Sequence, residues 1–106
     1  MHRDHDAFIQ ALEGRQKVAL TFYAKTHAAT LTSTCAPLDY GPSRQAHDKA
    51  SRYHFWDYES DEEPHPLVLP SEQIDSIVPL DARFDPTEFV TWRPDWILAR
   101  NWGDLS

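Results

Sequence analysis

The sequence predicts a mainly β fold: a small closed or half-closed barrel of four to five short strands, with a short N-terminal helix and an irregular or helical C-terminal tail. Three observations predict it. Apolar residues alternate with period two in several short runs between 16 and 80. Those runs are rich in β-branched and aromatic residues, which fit a pleated, half-buried surface. Helical spacing is confined to the first thirteen residues and to a short stretch after Asp85. Short strands at close spacing read as an all-β sandwich or barrel, and closure is how a small sheet manages its edges.

Residues 4–13 read as an amphipathic helix, with Phe8, Ile9 and Leu12 on one face. Asp4 or Asp6 can cap its start, and Gly14 stands where helices commonly end. Residues 16–24 switch to period two, with Val18, Leu20 and Phe22 facing one way and Ala19, Thr21 and Tyr23 the other. A second strand runs from Thr30 to Leu38 and is expected to stop near Pro37. Residues 39–51 read as a long polar loop with a Gly41-Pro42 turn, and long loops are mobile or functional. Arg52 to Tyr58 is a strand with aromatics on both faces: Tyr53 and Phe55 on one, His54, Trp56 and Tyr58 on the other. Such a strand is expected to be covered on both sides. An acidic turn over 59–66 follows, then a short apolar run, Leu67 to Leu69. Ile74 to Leu80 is ambiguous between a helical turn running into a strand and a bulged strand. Asp85-Pro86-Thr87-Glu88 has a cap residue, a proline at the first helical position and a glutamate at the third, so it starts a short helix through about Val90.

At 106 residues the chain is long enough for one domain: helix 4–13, barrel 16–80 and a Trp-rich tail 85–106. The net charge is −7, unevenly spread: residues 1–53 carry +2 and residues 54–106 carry −9. An acidic chain is a poor partner for duplex nucleic acid and for anionic membranes. No window has the length and apolarity of a membrane span, and the N-terminus has no apolar signal core, so a cytoplasmic setting is expected. The one cysteine, Cys35, cannot form an internal disulfide.

Chemistry-bearing patterns are sparse. The six histidines invite a metal reading, with His2 and His5 three apart and His47, His54 and His65 in neighbouring segments. A structural zinc site usually wants four N or S ligands, and no H-E-x-x-H is present, so no metal is expected. Protonating all six would move the charge from −7 to −1. Cys35, on a threonine-rich strand, reads as a small core residue. The acids from Asp57 to Glu63 lack EF-hand spacing, and no phosphate loop or nucleophile elbow is present. The sequence therefore predicts no cofactor and no enzyme.

Two groups of residues are candidates for binding. Arg44 and Arg52, with Tyr53, His54 and Trp56, combine cations and stacking surfaces suited to a small anion or a nucleobase; the alternative is an ordinary sheet edge with solvated arginines. Trp92, Trp96 and Trp102 either cover the barrel like a belt or form an exposed patch for a protein partner or a second copy.

The order of segments resembles that of WYL domains. Ala11 to Tyr23 is similar to their opening helix end and "gr-x-v-x-f-x-Y" strand, and Ala36-Pro37-Leu38 to their "P-L" strand. Arg52-Tyr53-His54-Phe55 resembles the "R-W-Y-L" strand that names the family, and Leu69 to Ile77 the "f-r-l-d-r-I-x-s-i" segment, with Phe84 at the closing position. The resemblance implies an SH3/Sm-like β-barrel, a ligand-sensing role in bacterial regulation, and a nucleotide-like ligand held by basic and aromatic positions. Arg52, Tyr53, His54 and, loosely, Arg15 carry over. The expected function is a non-enzymatic ligand-binding or regulatory module, stand-alone and divergent. The competing expectation is a protein-interaction adaptor that uses the Trp-rich tail and the acidic turn.

Overall fold

The computed structural model describes residues 1–43, 48–59 and 65–106, with His65 through its backbone only. Arg44, His47 and most of the acidic turn lie outside the described residues.

The chain opens with helix α1 (His5–Gly14), which buries Phe8, Ala11 and Leu12 and partly buries Ile9. Asp4 occupies the cap position, but its carboxylate accepts the Ile77 N–H at 2.9 Å instead of capping the helix. The left-handed residue that ends the helix is Arg15, with φ 53°, one place beyond Gly14. Strand β1 (Gln16–Ala24) then buries Val18, Leu20 and Phe22, the face its alternation predicts.

Strands β2 (Ala29–Pro42), β3 (Ser51–Asp57), β4 (His65–Leu69) and β5 (Ile74–Arg83) complete an antiparallel sheet in the order β4-β3-β2-β1-β5. The ambiguous 74–80 segment is therefore strand. The short apolar run grows into a five-residue strand that includes Pro66 at the sheet's edge, where a missing N–H is tolerated. The predicted helix after Asp85 is a single 3-10 turn, Pro86–Glu88, with the Asp85 carboxylate accepting from the Thr87 N–H and Oγ1.

The sheet is strongly bent. In a flat sheet β4 and β5 would stand about 19 Å apart, from a spacing of ~4.8 Å per strand. They are joined by Pro70 and a 3-10 turn, Ser71–Gln73, a geometry that advances only ~2 Å per residue. The bend falls on β2, whose first half pairs with β1 as far as Cys35 and whose second half pairs with β3 from Cys35 onward.

The expected stop near Pro37 is overturned: β2 runs on through Pro42, and the long loop of 39–51 shrinks by its first four residues. Pro37 is tolerated because β1 has already left that side of β2, and because a bulge follows at once. Pro37 pairs with Phe55 and Asp39 with His54, so Leu38 is the extra residue. Inside the bend, α1 packs on the face carrying Tyr53 and Phe55, with Phe8 5.0 and 5.4 Å from those rings. The other face of β3 is covered by the segment after Phe84, where Phe89 stacks on Trp56 at 5.2 Å. Among the described residues no helix is long and apolar enough to cross a membrane.

Candidate functional site

The bulge at Leu38 positions the site. Without the extra residue, continued alternation would place Asp39 opposite Tyr53, facing the core. With it, Asp39 pairs with His54 and shares the outer face. There its carboxylate gathers the tail: Oδ2 accepts the Ile97 N–H at 2.8 Å, and Oδ1 accepts the Leu98 N–H at 2.9 Å and its neighbour Tyr40's N–H at 3.0 Å. The Arg100 guanidinium completes the set 3.3 Å from Oδ1, with the Arg100 side chain fully buried and that of Asp39 8% exposed.

Arg100 is clamped as well as paired. It lies 4.1 Å from the Trp96 ring centre and 4.5 Å from that of Trp102, and donates to the carbonyls of Leu38 and Leu98. Burial pulls its pKa down to about 10, against the opposing pull of Asp39, so it stays cationic at neutral pH. Trp102 donates from Nε1 to the Leu12 carbonyl at 2.9 Å, and Arg15 donates to the Asn101 carbonyl, which ties the tail to α1. Ile97 lies directly on Gly41: a Cβ there would meet the Ile97 Cδ1 at 2.2 Å.

Between this tail and the strands lies a cleft of about 570 Å³, lined by Pro42, His54, Val68, Trp92, Arg93 and Trp96 among others. It draws members of both predicted groups into one place, His54 from the first and Trp92 and Trp96 from the second. The His54 Nε2 donates to the Gly41 carbonyl at 3.0 Å, which leaves Nδ1 as the acceptor of the neutral ring. Trp92 is 40% exposed and stands edge-to-face with Trp96 at 6.2 Å.

The remaining predicted residues fall elsewhere. Arg52 is on the same face as His54 but is held by Asp48 in a two-pronged pair at 2.9 and 3.1 Å. Trp56 is half-buried under Phe89. Tyr53 points the opposite way into the core, fully buried, its hydroxyl accepting the His2 N–H and sharing a hydrogen bond with the His5 Nδ1. It is placed as a packing residue and not on the wall of a binding site. Trp102 is buried as a cover over α1 and Phe84, so it presents no surface to a partner. Arg44 lies outside the described residues, as do Asp61, Glu62 and Glu63 of the acidic turn.

Sequence reasoning missed Asp39, Arg93 and Arg100. An arginine set between Trp96 and Trp102 was the available signal, since a buried cation in an aromatic stretch requires an acceptor. Cys35 is buried beside Asp57; burial, then the neighbouring Asp57 and Glu59 carboxylates, push its pKa far up, so it is held as a thiol. Among the described residues no group of three or more His, Cys, Asp or Glu is placed to hold a metal ion. No protein-family model, curated protein or solved structure matches the chain.

Proposed function

We propose that the chain is a non-enzymatic small-ligand-binding module of the WYL-like kind, with the bent sheet acting as a small SH3/Sm-like barrel and the cleft beneath the tail as its binding site. The observation that carries this reading is the convergence of His54, Trp92 and Trp96 on one cleft of about 570 Å³. Ligand pockets commonly measure ~300–1,000 Å³ and combine apolar and aromatic walls with a few polar groups. The bend forced by the Ser71–Gln73 turn supports the barrel part of the reading. The role of β3 shifts within it: His54 contacts the ligand, while Arg52 orders the chain through Asp48.

The test is a two-dimensional NMR screen of the full chain against nucleotides, aromatic acids and neutral fragments. Binding is expected to shift the Trp92 and Trp96 indole N–H signals and those of the His54 strand. A screen in which every hit shifts signals away from the cleft, or in which nothing binds at millimolar concentration, overturns the reading.

A second reading, a protein-interaction adaptor, is favoured by Trp92, Ile97 and Val68, which are 40%, 57% and 37% exposed around the same cleft. Light scattering separates the two. An adaptor that pairs with a second copy gains mass with concentration and loses that gain in Trp92→Ser, whereas a ligand module stays monomeric in both.

A further inference from the structure

We infer that the cleft takes a flat, apolar, singly charged anion such as an aromatic carboxylate, rather than a polyphosphate. This inference rests on the ligand-binding reading above and narrows it.

Several polar groups at the cleft are already engaged. Asp39 is saturated by the Ile97, Leu98 and Tyr40 N–H groups and by Arg100, and its charge is cancelled there. The Trp96 Nε1 donates to the Leu105 carbonyl at 2.7 Å, and one face of that ring carries Arg100. Ser43 and Asp95 have interactions of their own. Two side-chain donor groups remain among the described residues lining the cleft: the Arg93 guanidinium and the Trp92 Nε1–H, neither of which makes a hydrogen bond or ion pair there. Two free donors beside each other in sequence, one of them cationic, suit an anionic group.

The charge count sets how much anion the cleft accepts. Apart from the neutralised Asp39–Arg100 pair, the described residues lining the cleft carry one cation, Arg93, and one anion, Asp95. The half of the chain that supplies Arg93 and Asp95, residues 54–106, has a net charge of −9. A ligand bearing two or more negative charges would meet one compensating cation and a repulsive field. A single carboxylate is matched by Arg93. The rest of the wall favours a flat body: Trp92 and Trp96 stand edge-to-face at an interplanar angle of 71°, and His54, Pro66 and Val68 line the cleft with them. Aromatic rings favour such offset or edge contacts over a perfect sandwich.

The test uses the full chain and three probes in NMR titrations: indole-3-acetate, uncharged indole and ADP. The expected result is that indole-3-acetate binds about tenfold more tightly than indole, with both shifting the Trp92 and Trp96 indole signals, and that ADP binds more weakly than either. Arg93→Gln, at an exposed position, should erase the difference between the acid and indole and leave indole binding as it was; an unchanged spectrum outside the cleft verifies its fold. If ADP binds most tightly, or if the advantage of the acid survives Arg93→Gln, the inference fails while the ligand-binding reading stands. If none of the three probes shifts a cleft signal, the inference fails together with the reading it rests on.

Discussion

The two sides of β3 are closed by different physics. On one side Tyr53 and Phe55 meet α1 through Phe8, and the Tyr53 hydroxyl accepts the His2 backbone N–H and shares a hydrogen bond with the His5 Nδ1. On the other side His54 and Trp56 meet a tail with little regular structure, held by a buried ion pair. The difference follows from the backbones. A helix satisfies most of its own N–H and C=O groups and has only an apolar stripe to offer. An irregular tail brings unpaired N–H groups into a buried place, and these require an acceptor. Asp39 supplies it for Ile97 and Leu98, and Arg100 supplies the countercharge that lets the carboxylate be buried.

The largest effects test this contrast directly. Phe8→Ala should cost about 3–5 kcal/mol in urea unfolding, as a cavity in the helix-side core. Asp39→Ala should cost a similar amount, about 3–5 kcal/mol, because it leaves a buried guanidinium without its countercharge and two tail N–H groups without an acceptor. The two variants part company in how they are rescued. Adding Arg100→Met to Asp39→Ala should recover much of the loss, since an apolar side chain removes the unpaired charge. No second change at Arg100 should rescue Phe8→Ala. A double variant at Asp39 and Arg100 no more stable than Asp39→Ala alone would show that the ion pair is not what holds the tail.

High pH sharpens the comparison. Burial raises the pKa of Tyr53 on the helix side and, with help from Glu88, that of Tyr58 on the tail side to about 12; Cys35 is raised from 9.0 in the same direction. For each group the unfolded chain releases its proton first. Stability is therefore complete below about pH 9 and is lost as pH climbs through the folded values. Arg100 acts in the opposite sense: with its value lowered to about 10, the unfolded chain keeps its proton longer, which raises stability above that pH. Three falling contributions against one rising contribution give a net alkaline loss. Urea midpoints measured from pH 8 to 11 should fall in the wild type and fall less steeply in Tyr58→Phe. Equal slopes in the two would remove Tyr58 from the account.

What the sequence made legible divides along the same line. The α1 face, the alternation of β1 and the core role of Cys35 are local patterns, and the structure keeps them: Phe8, Leu12, Val18, Leu20 and Cys35 are all buried. So is the two-sided cover of β3, which its aromatics announce on both faces. The tail side was not legible, because its partners are far apart in the chain. Asp39 and Arg100 are separated by 61 residues. Pro37 reads locally as a stop and Gly41-Pro42 as a turn, yet β2 passes through Pro37 and ends only at Pro42, because β1 has already departed. The bulge at Leu38 then inverts the parity on which alternation depends, so no count along the strand would put Asp39 outside. The three tail tryptophans looked equivalent in sequence. The fold separates them into buried Trp102, half-buried Trp96 and exposed Trp92.

The smallest expected effect concerns Gly41, where the two sides of the comparison differ in tolerance. A Cβ at Gly41 would meet the Ile97 Cδ1 at 2.2 Å and its Cγ1 and Cγ2 at 3.3 Å. On the helix side such a clash would press on a close-packed interior and be felt in full. Here the obstructing atom is the far end of a side chain that is 57% exposed and free to change rotamer. Gly41→Ala should therefore cost only about 1 kcal/mol, the lower end for overpacking. It should also move the Ile97 and Leu98 amide signals while leaving those of Phe8 and Tyr53 in place. A loss as large as that of Asp39→Ala would mean that Ile97 is fixed as rigidly as the helix-side core, and that the tail is held by packing more than by charge.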